Sequence, residues 1–219
     1  MAILLLCIAP YTAHAEISTD GTMGPAVNLP GPDFAITEDL GTRAGNNLFH
    51  SFQRFSIANG ESATFSGAAE ISNVISRVTG GEISTIDGAL QSTIPDADVY
   101  LVNPAGIVFG ENASIDVNGS FHASTADYLK LGIDGRFDAS NPGNTVLSVA
   151  PPSAFGFLGA PAGIGLDHAT LEVAEGETLT LAGGDIDMQD ATLHAPGGKL
   201  QLASVASAGE AAITPDGID

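Results

Sequence analysis

Short apolar runs separated by turn-forming residues extend along most of the chain. Residues 71–90 carry Val74, Ile75, Val78, Ile83, Ile86 and Leu90, interrupted at Gly80-Gly81 and at Asp87-Gly88. Further runs follow at 99–102, 107–109, 115–117 and 121–123, with turns at Asn103-Pro104, Gly110-Glu111-Asn112 and Asn118-Gly119. β-Branched and aromatic residues in runs this short predict β-strands rather than helices. Asn118-Gly119 fits either a type I′ hairpin turn or a corner between two sheet faces. Upstream, Leu48, Phe49, Phe52, Phe55 and Ile57 form a dense cluster. The three-residue spacing of its aromatics fits a short helical turn, the alternation at Phe55 and Ile57 fits a strand, and in both cases these are core residues. Residues 126–133 predict one short helical turn. The Gly-, Pro-, Asp- and Thr-rich residues 16–45 predict short strands and turns folding over one end of the domain.

The last third of the chain repeats. Ala169-Thr170-Leu171-Glu172 recurs as Ala191-Thr192-Leu193-His194, a step of 22, and Leu179-Thr180-Leu181-Ala182 recurs as Leu200-Gln201-Leu202-Ala203, a step of 21. Repeats of this size made only of strands and turns predict a β-solenoid, because no single coil can bury its apolar face without a neighbour. The inferred architecture is a parallel β-helix. Residues 209–219 show no strand pattern. They are read either as a weak shield for the far end or as the point where a longer solenoid was cut.

Composition narrows the partners. With 6 Lys and Arg against 26 Asp and Glu, the formal charge is −20. Phosphate backbones are repelled, which excludes nucleic acid, and anionic membrane surfaces are disfavoured. Hydrophobic residues make up 44% and charged residues 15%, the opposite of an acidic disordered tail, so the chain folds. Trp is absent, leaving Leu, Ile, Val and Ala to fill narrow layers. The single cysteine, Cys7, lies in an apolar N-terminal run that is too short to span a bilayer and is followed by Pro10 and Ala13-His14-Ala15. That order reads as a signal peptide over residues 1–15, cleaved between Ala15 and Glu16. A basic segment ahead of the apolar run is missing, which points to an earlier translation start. The mature chain is then free of cysteine and lies outside the cytoplasm.

Few residues suggest catalysis. Asp185 and Asp187 share one face of a strand, with Asp190 close by, but no loop supplies the six to eight oxygens that calcium takes. His14, His50, His122, His168 and His194 are scattered without zinc spacing. Neither a Gly-x-Ser-x-Gly elbow nor a phosphate loop occurs. No catalytic residue, metal site or cofactor is assigned.

Four ordered blocks carry a resemblance. Asn47-Leu48-Phe49-His50-Ser51-Phe52 with Phe55-Ser56-Ile57 resembles the opening motif of the filamentous haemagglutinin N-terminal domain, the secretion domain of two-partner secretion exoproteins. Ser76-Arg77-Val78-Thr79-Gly80-Gly81, then Ser84-Thr85-Ile86-Asp87-Gly88, resembles its second block. Asn103-Pro104-Ala105-Gly106-Ile107-Val108-Phe109-Gly110 resembles its Asn-Pro-x-Gly-Ile block, and Gly119-Ser120-Phe121-His122-Ala123-Ser124-Thr125 the block that follows. The Asn-Pro-Asn-Leu motif that many members carry before the second block is missing from residues 66–75, which sets this chain in a different branch.

The resemblance implies a right-handed parallel β-helix with an N-terminal cap. It implies a secretion domain over residues 16–150, with residues 151–219 continuing the solenoid. It also implies a route. Signal peptidase and the inner-membrane export machinery deliver an extended chain, periplasmic modules of a cognate outer-membrane β-barrel transporter recognise it, and it folds outside, released or held at the surface. The recognition residues it implies are Asn47, Leu48, Phe49, His50, Ser51 and Phe52, then Arg77, Val78, Thr79, Gly80 and Gly81, then Asn103, Pro104, Ala105, Gly106 and Ile107. On physical grounds Pro104 and Gly106 set a tight turn, and Asn103 sets the turn, contacts the transporter, or does both. Two rival functions are a surface adhesin whose solenoid binds a host or neighbouring cell and a polysaccharide-active β-helix enzyme.

Overall fold

A computed structural model describes residues 15–214 and 217–219; the predicted signal peptide before Ala15, with Ala13 of its cleavage site, lies outside the described residues. The chain enters through β1 (Ile17–Thr19), β2 (Asp33–Thr37) and β3 (Thr42–Ala44). Three-sided coils follow: β4 (Asn47–Phe55), β5 (Ser62–Ser66), β6 (Asn73–Val78), β7 (Ser84–Ile86), β8 (Ala89–Ser92), β9 (Asp98–Val102), β10 (Ile107–Phe109), β11 (Ser114–Asp116) and β12 (Phe121–Ser124). The path then leaves the coil for β13 (Tyr128–Leu131), β14 (Gly135–Asp138) and β15 (Pro152–Phe157). It re-enters as β16 (Ile164–Asp167), β17 (Thr170–Glu172), β18 (Thr178–Gly183), β19 (Ile186–Gln189), β20 (Thr192–His194) and β21 (Lys199–Ser204), and ends with β22 (Gly209–Thr214) and β23 (Gly217–Ile218).

The first face of the solenoid stacks β4, β6, β9, β12, β18 and β21 in parallel. The second stacks β7, β10, β16 and β19, and the third stacks β2, β5, β8 and β11 and is continued by β17 and β20. The predicted parallel β-helix is thus observed. Its N-terminal cap is β1 and β3, which pair antiparallel with β4 and cover the edge that the first coil exposes.

Register explains the apolar pattern. Leu48, Val74, Val99, Phe121, Leu179 and Leu200 stack one above the other, pointing inward. The coil length falls from 26 residues, Leu48 to Val74, to 21, Leu179 to Leu200. The sequence repeats of 22 and 21 are the registers Thr170 to Thr192 and Leu179 to Leu200. The last coil has no successor among the described residues, so Leu200 and Leu202 are each 47% exposed where Leu179 and Leu181 are fully buried.

The first face carries apolar side chains on its outer side as well as its inner one, as expected of a sheet covered twice, with polar residues interspersed on the outer side. Strands β13, β14 and β15 form an antiparallel sheet, extended by β22 and β23. It closes a second core in which Phe49, Ile75, Tyr100 and Val102 meet Leu129, Leu131, Phe137, Phe155 and Phe157.

This sheet corrects two expectations. Residues 126–133 hold strand β13 instead of a helical turn, because Leu129 and Leu131 alternate onto the core side and both neighbouring strands hydrogen-bond to it. Residues 209–219 hold β22 and β23 instead of patternless chain; a small residue, Ala211, faces the core and β15 supplies the register. Asn118-Gly119 turns a corner, since β11 and β12 belong to different sheets. The aromatic cluster lies on one extended strand and packs as core.

Candidate functional site

The resemblance-derived residues fall on the first face and the corner beyond it. Alternation along β4 and β6 sends Leu48, Phe52, Val74 and Val78 into the coil and Asn47, Ser51 and Arg77 outward, beneath the antiparallel sheet. There they meet polar partners. Asn47 Nδ2 donates to the carbonyls of Ser148 (3.0 Å) and Ala150 (2.8 Å), and its Oδ1 accepts from Asn73 Nδ2 at 2.9 Å.

Arg77 is fully buried and uses all three guanidinium nitrogens. Nε donates to Ser51 Oγ at 2.7 Å, Nη1 to the Asp138 carbonyl at 2.5 Å and Thr145 Oγ1 at 2.6 Å, and Nη2 to Thr22 Oγ1 at 2.9 Å. Its plane lies 4.3 Å from the Phe137 ring centroid. Burial lowers its pKa while Asp20 and Asp138 oppose that; a guanidinium stays charged throughout. Asp20 accepts from Ser51 (2.6 Å), Thr79 (2.8 Å) and Thr22 (2.7 Å). Burial pushes the Asp20 pKa up, but these bonds outweigh it and hold the carboxyl below its ordinary value. Asp138, wholly enclosed, pairs with Arg136 Nη2 at 2.5 Å and accepts the Asn141 N–H at 2.6 Å. The network ties together the N-terminal segment, two coils and the antiparallel sheet.

Thr79-Gly80-Gly81 and Asn103-Pro104-Ala105-Gly106 turn the same corner in successive coils. Asn103 is fully buried. Its Nδ2 donates to the Glu82 carbonyl and to Ser84 Oγ, both at 2.9 Å, and its Oδ1 accepts the Ala105 N–H at 2.9 Å. The turn closes with Gly106 N–H to the Asn103 carbonyl at 3.1 Å, and Gly106 takes φ +121°. Pro104 needs no N–H partner there. Between the loops lies a cleft of about 190 Å³, lined in part by Thr79, Gly81, Asn103, Pro104, Ala139 and Ser140.

Gly80 is set by contact, since a Cβ there would fall inside the Gln53 carbonyl. Gly80→Ala is expected to displace the loop and cost about 2 kcal/mol or more in urea denaturation, because main chain cannot yield as a side chain does. Gly81→Ala meets no atom but stands at φ +77°, and is expected to cost about 1 kcal/mol.

The implied residues do not converge on one surface. Asn47 lies at the edge where the coil enters the first face, Arg77 under the antiparallel sheet, and Asn103 at the exit corner. Leu48, Phe49, Phe52, Val78 and Ile107 are core. His50 is fully buried between Phe52 and Phe65, with neither ring nitrogen hydrogen-bonded. Of the implied residues in the corner loops, Thr79, Gly80, Gly81, Pro104 and Ala105 keep partial or full exposure. Glu16, at the predicted cleavage site, pairs with Arg54 at 2.7 Å.

Sequence reasoning missed Asp20, Thr22, Arg136, Asp138 and Thr145. An available signal was Arg77 inside an apolar strand, since a buried cation requires acceptors from elsewhere. The acidic trio separates: Asp187 is on β19, while Asp190 approaches His168 Nε2 at 3.7 Å at an exposed corner. Among the described residues, no three His, Cys, Asp or Glu are placed to hold a metal ion.

A family model, the TPS secretion domain, matches residues 15–218. No curated protein matches the chain. The crystal structure of the HMW1 secretion domain from Haemophilus influenzae is similar, with a TM-score of 0.55 and 23% identity. That likeness covers 92% of this chain and 44% of the other, so this chain spans less than half the length of that structure. At this identity the likeness is one of fold.

Proposed function

The chain belongs to the TPS (two-partner secretion) secretion domain family, and on that premise we propose that its four ordered blocks are read by a cognate transporter while the chain is still extended. The family is one of secretion domains rather than enzymes, and it marks the chain as part of a secreted exoprotein with a transporter partner. In the proposed route, signal peptidase removes residues 1–15 and the blocks within 16–150 engage periplasmic modules of an outer-membrane β-barrel. The remaining residues to 219 follow through it, and the solenoid closes at the cell surface.

One observation carries this reading: Asn47, Arg77 and Asn103 are buried and fully committed to internal hydrogen bonds once the chain is folded. Their side chains are available to a partner only before folding. An extended segment can add to a partner's sheet edge through its main chain while alternate side chains fill pockets, and folding then withdraws both.

The test uses the transporter's purified periplasmic modules, with the chain presented folded or held unfolded in dilute urea. Modules that bind the unfolded chain at least tenfold more tightly, with Asn103→Ala and a deletion of residues 47–52 lowering export from cells, are the expected result. Equal binding of the folded domain, or export indifferent to the transporter, overturns the proposal.

A further inference from the structure

The chain contains two Asn-Gly pairs, at 59–60 and 118–119, each at a corner of the solenoid, and folding treats them differently. The side-chain carbonyl carbon of an asparagine is within reach of the next main-chain nitrogen. Glycine in that next position carries no side chain to obstruct the approach.

Asn59-Gly60 is the tip of the corner between β4 and β5, and both residues are exposed. The base of the corner is pinned. The Glu61 N–H donates to the Ala58 carbonyl at 3.0 Å, and the Ala58 N–H donates to Glu61 Oε2 at 3.0 Å. The next coil holds it as well, through the Asp87 N–H on the Ile57 carbonyl at 2.8 Å and the Ala89 N–H on the Glu61 carbonyl at 3.0 Å. The tip is free. Among the described residues, neither the Asn59 amide nor the Gly60 N–H has a hydrogen-bond partner. Gly60 takes φ +81°, and a Cβ there would meet no atom within 4 Å. At Asn118-Gly119 both halves are engaged. Asn118 Nδ2 donates to the carbonyls of Ser92 at 3.2 Å and Ile94 at 3.3 Å. Gly119 is buried, and a Cβ on it would stand 2.6 Å from the Ala97 carbonyl oxygen. Ring closure there breaks two hydrogen bonds and shifts buried main chain.

We propose that Asn59 is a deamidation site of the folded protein, and that folding closes Asn118 to the same reaction. The Gly60 nitrogen bonds to Asn59 Cγ. Its proton passes through water to the amide nitrogen, which leaves as ammonia, and a five-membered imide remains. Water then opens the imide. Breaking the nitrogen bond to Cγ gives aspartate, and breaking the bond to the main-chain carbonyl carbon gives isoaspartate; nothing is oxidised or reduced. An extended chain has neither corner, so both pairs react before folding and only the first afterwards. Conversion at 118 therefore records time spent unfolded.

The test incubates the wild-type chain in mildly alkaline buffer, folded or held unfolded in concentrated urea, and follows both sites by peptide mass spectrometry. Expected in the folded chain is conversion at 59 at least about tenfold faster than at 118. In urea the two rates are expected to agree within about threefold, and Gly60→Ala is expected to slow site 59 about tenfold there while leaving 118 unchanged. That variant is read unfolded, so its own stability does not enter. A folded chain that leaves 59 intact, or that converts 59 and 118 at one rate, overturns the proposal. So does a site 118 that stays intact in urea, or a Gly60→Ala chain that converts 59 there as fast as wild type.

Discussion

Arg77→Ala is expected to lower the stability of the folded domain by about 3–5 kcal/mol, the cost of removing one member of a buried charge network. Each partner is left in place without its donor. Ser51, Thr145, Thr22 and the Asp138 carbonyl lose a charged hydrogen bond, and the charge that Asp20 and Asp138 favour is gone. The Phe137 ring loses the plane stacked on it. Arg77→Met keeps most of that packing and removes only the charge, so it separates the two contributions: its loss is expected to be smaller, but still above about 2 kcal/mol. Arg77→Lys supplies one point charge in place of a planar fork and is expected to fall between wild type and alanine. Urea denaturation measures all three. An alanine variant within about 1 kcal/mol of wild type would sink the view that this network joins the antiparallel sheet to the coil.

Acidification is expected to remove about 4 kcal/mol between pH 7.5 and pH 5, through two histidines. Burial depresses the pKa of His50 to about 4, against opposition from the Leu40 carbonyl and from Asp39 and Glu38, and burial alone depresses that of His122 to about 3. In the unfolded chain both titrate near 6.5. Below that value the unfolded state takes up protons that the folded state refuses, so stability falls as pH falls, by about 2 kcal/mol per histidine at pH 5. The loss continues until each folded pKa is passed. Asp98, whose pKa burial raises, works in the opposite direction at the acid end. Stability measured from pH 7.5 to 5 tests the sum, and His122→Phe, which preserves the stack on Tyr100, is expected to halve the slope. A flat profile would show that the two imidazoles accept protons in place.

The solenoid itself was legible because its information is local. Each coil repeats inward Leu, Val and Phe at fixed register, and each corner carries Gly, Asn or Pro. The antiparallel sheet was not legible in the same way. Its residues obey no repeat, its strand β22 opens on Gly, Glu and two Ala before reaching Ile213, and its position depends on partners over a hundred residues away, as Asn47 to Ala150 illustrates. The candidate residues were found by their order along the chain, but their roles were not. Nothing local to Asn47 or Arg77 says that the main chain near Ser148 or Asp138 will reach them.

Those long contacts also act as a length counter. Asn47 is closed by Ser148 and Ala150, and Arg77 by Asp138 and Thr145. A chain presented N-terminus first can stack its early coils as they emerge, but it cannot latch Arg77 until 61 to 68 further residues have followed, nor Asn47 until 101 to 103 have. At about 3.3–3.6 Å per extended residue, that is more than 300 Å of chain. Until then the earliest coils lack these bonds, and a segment that arrives about a hundred residues later completes them.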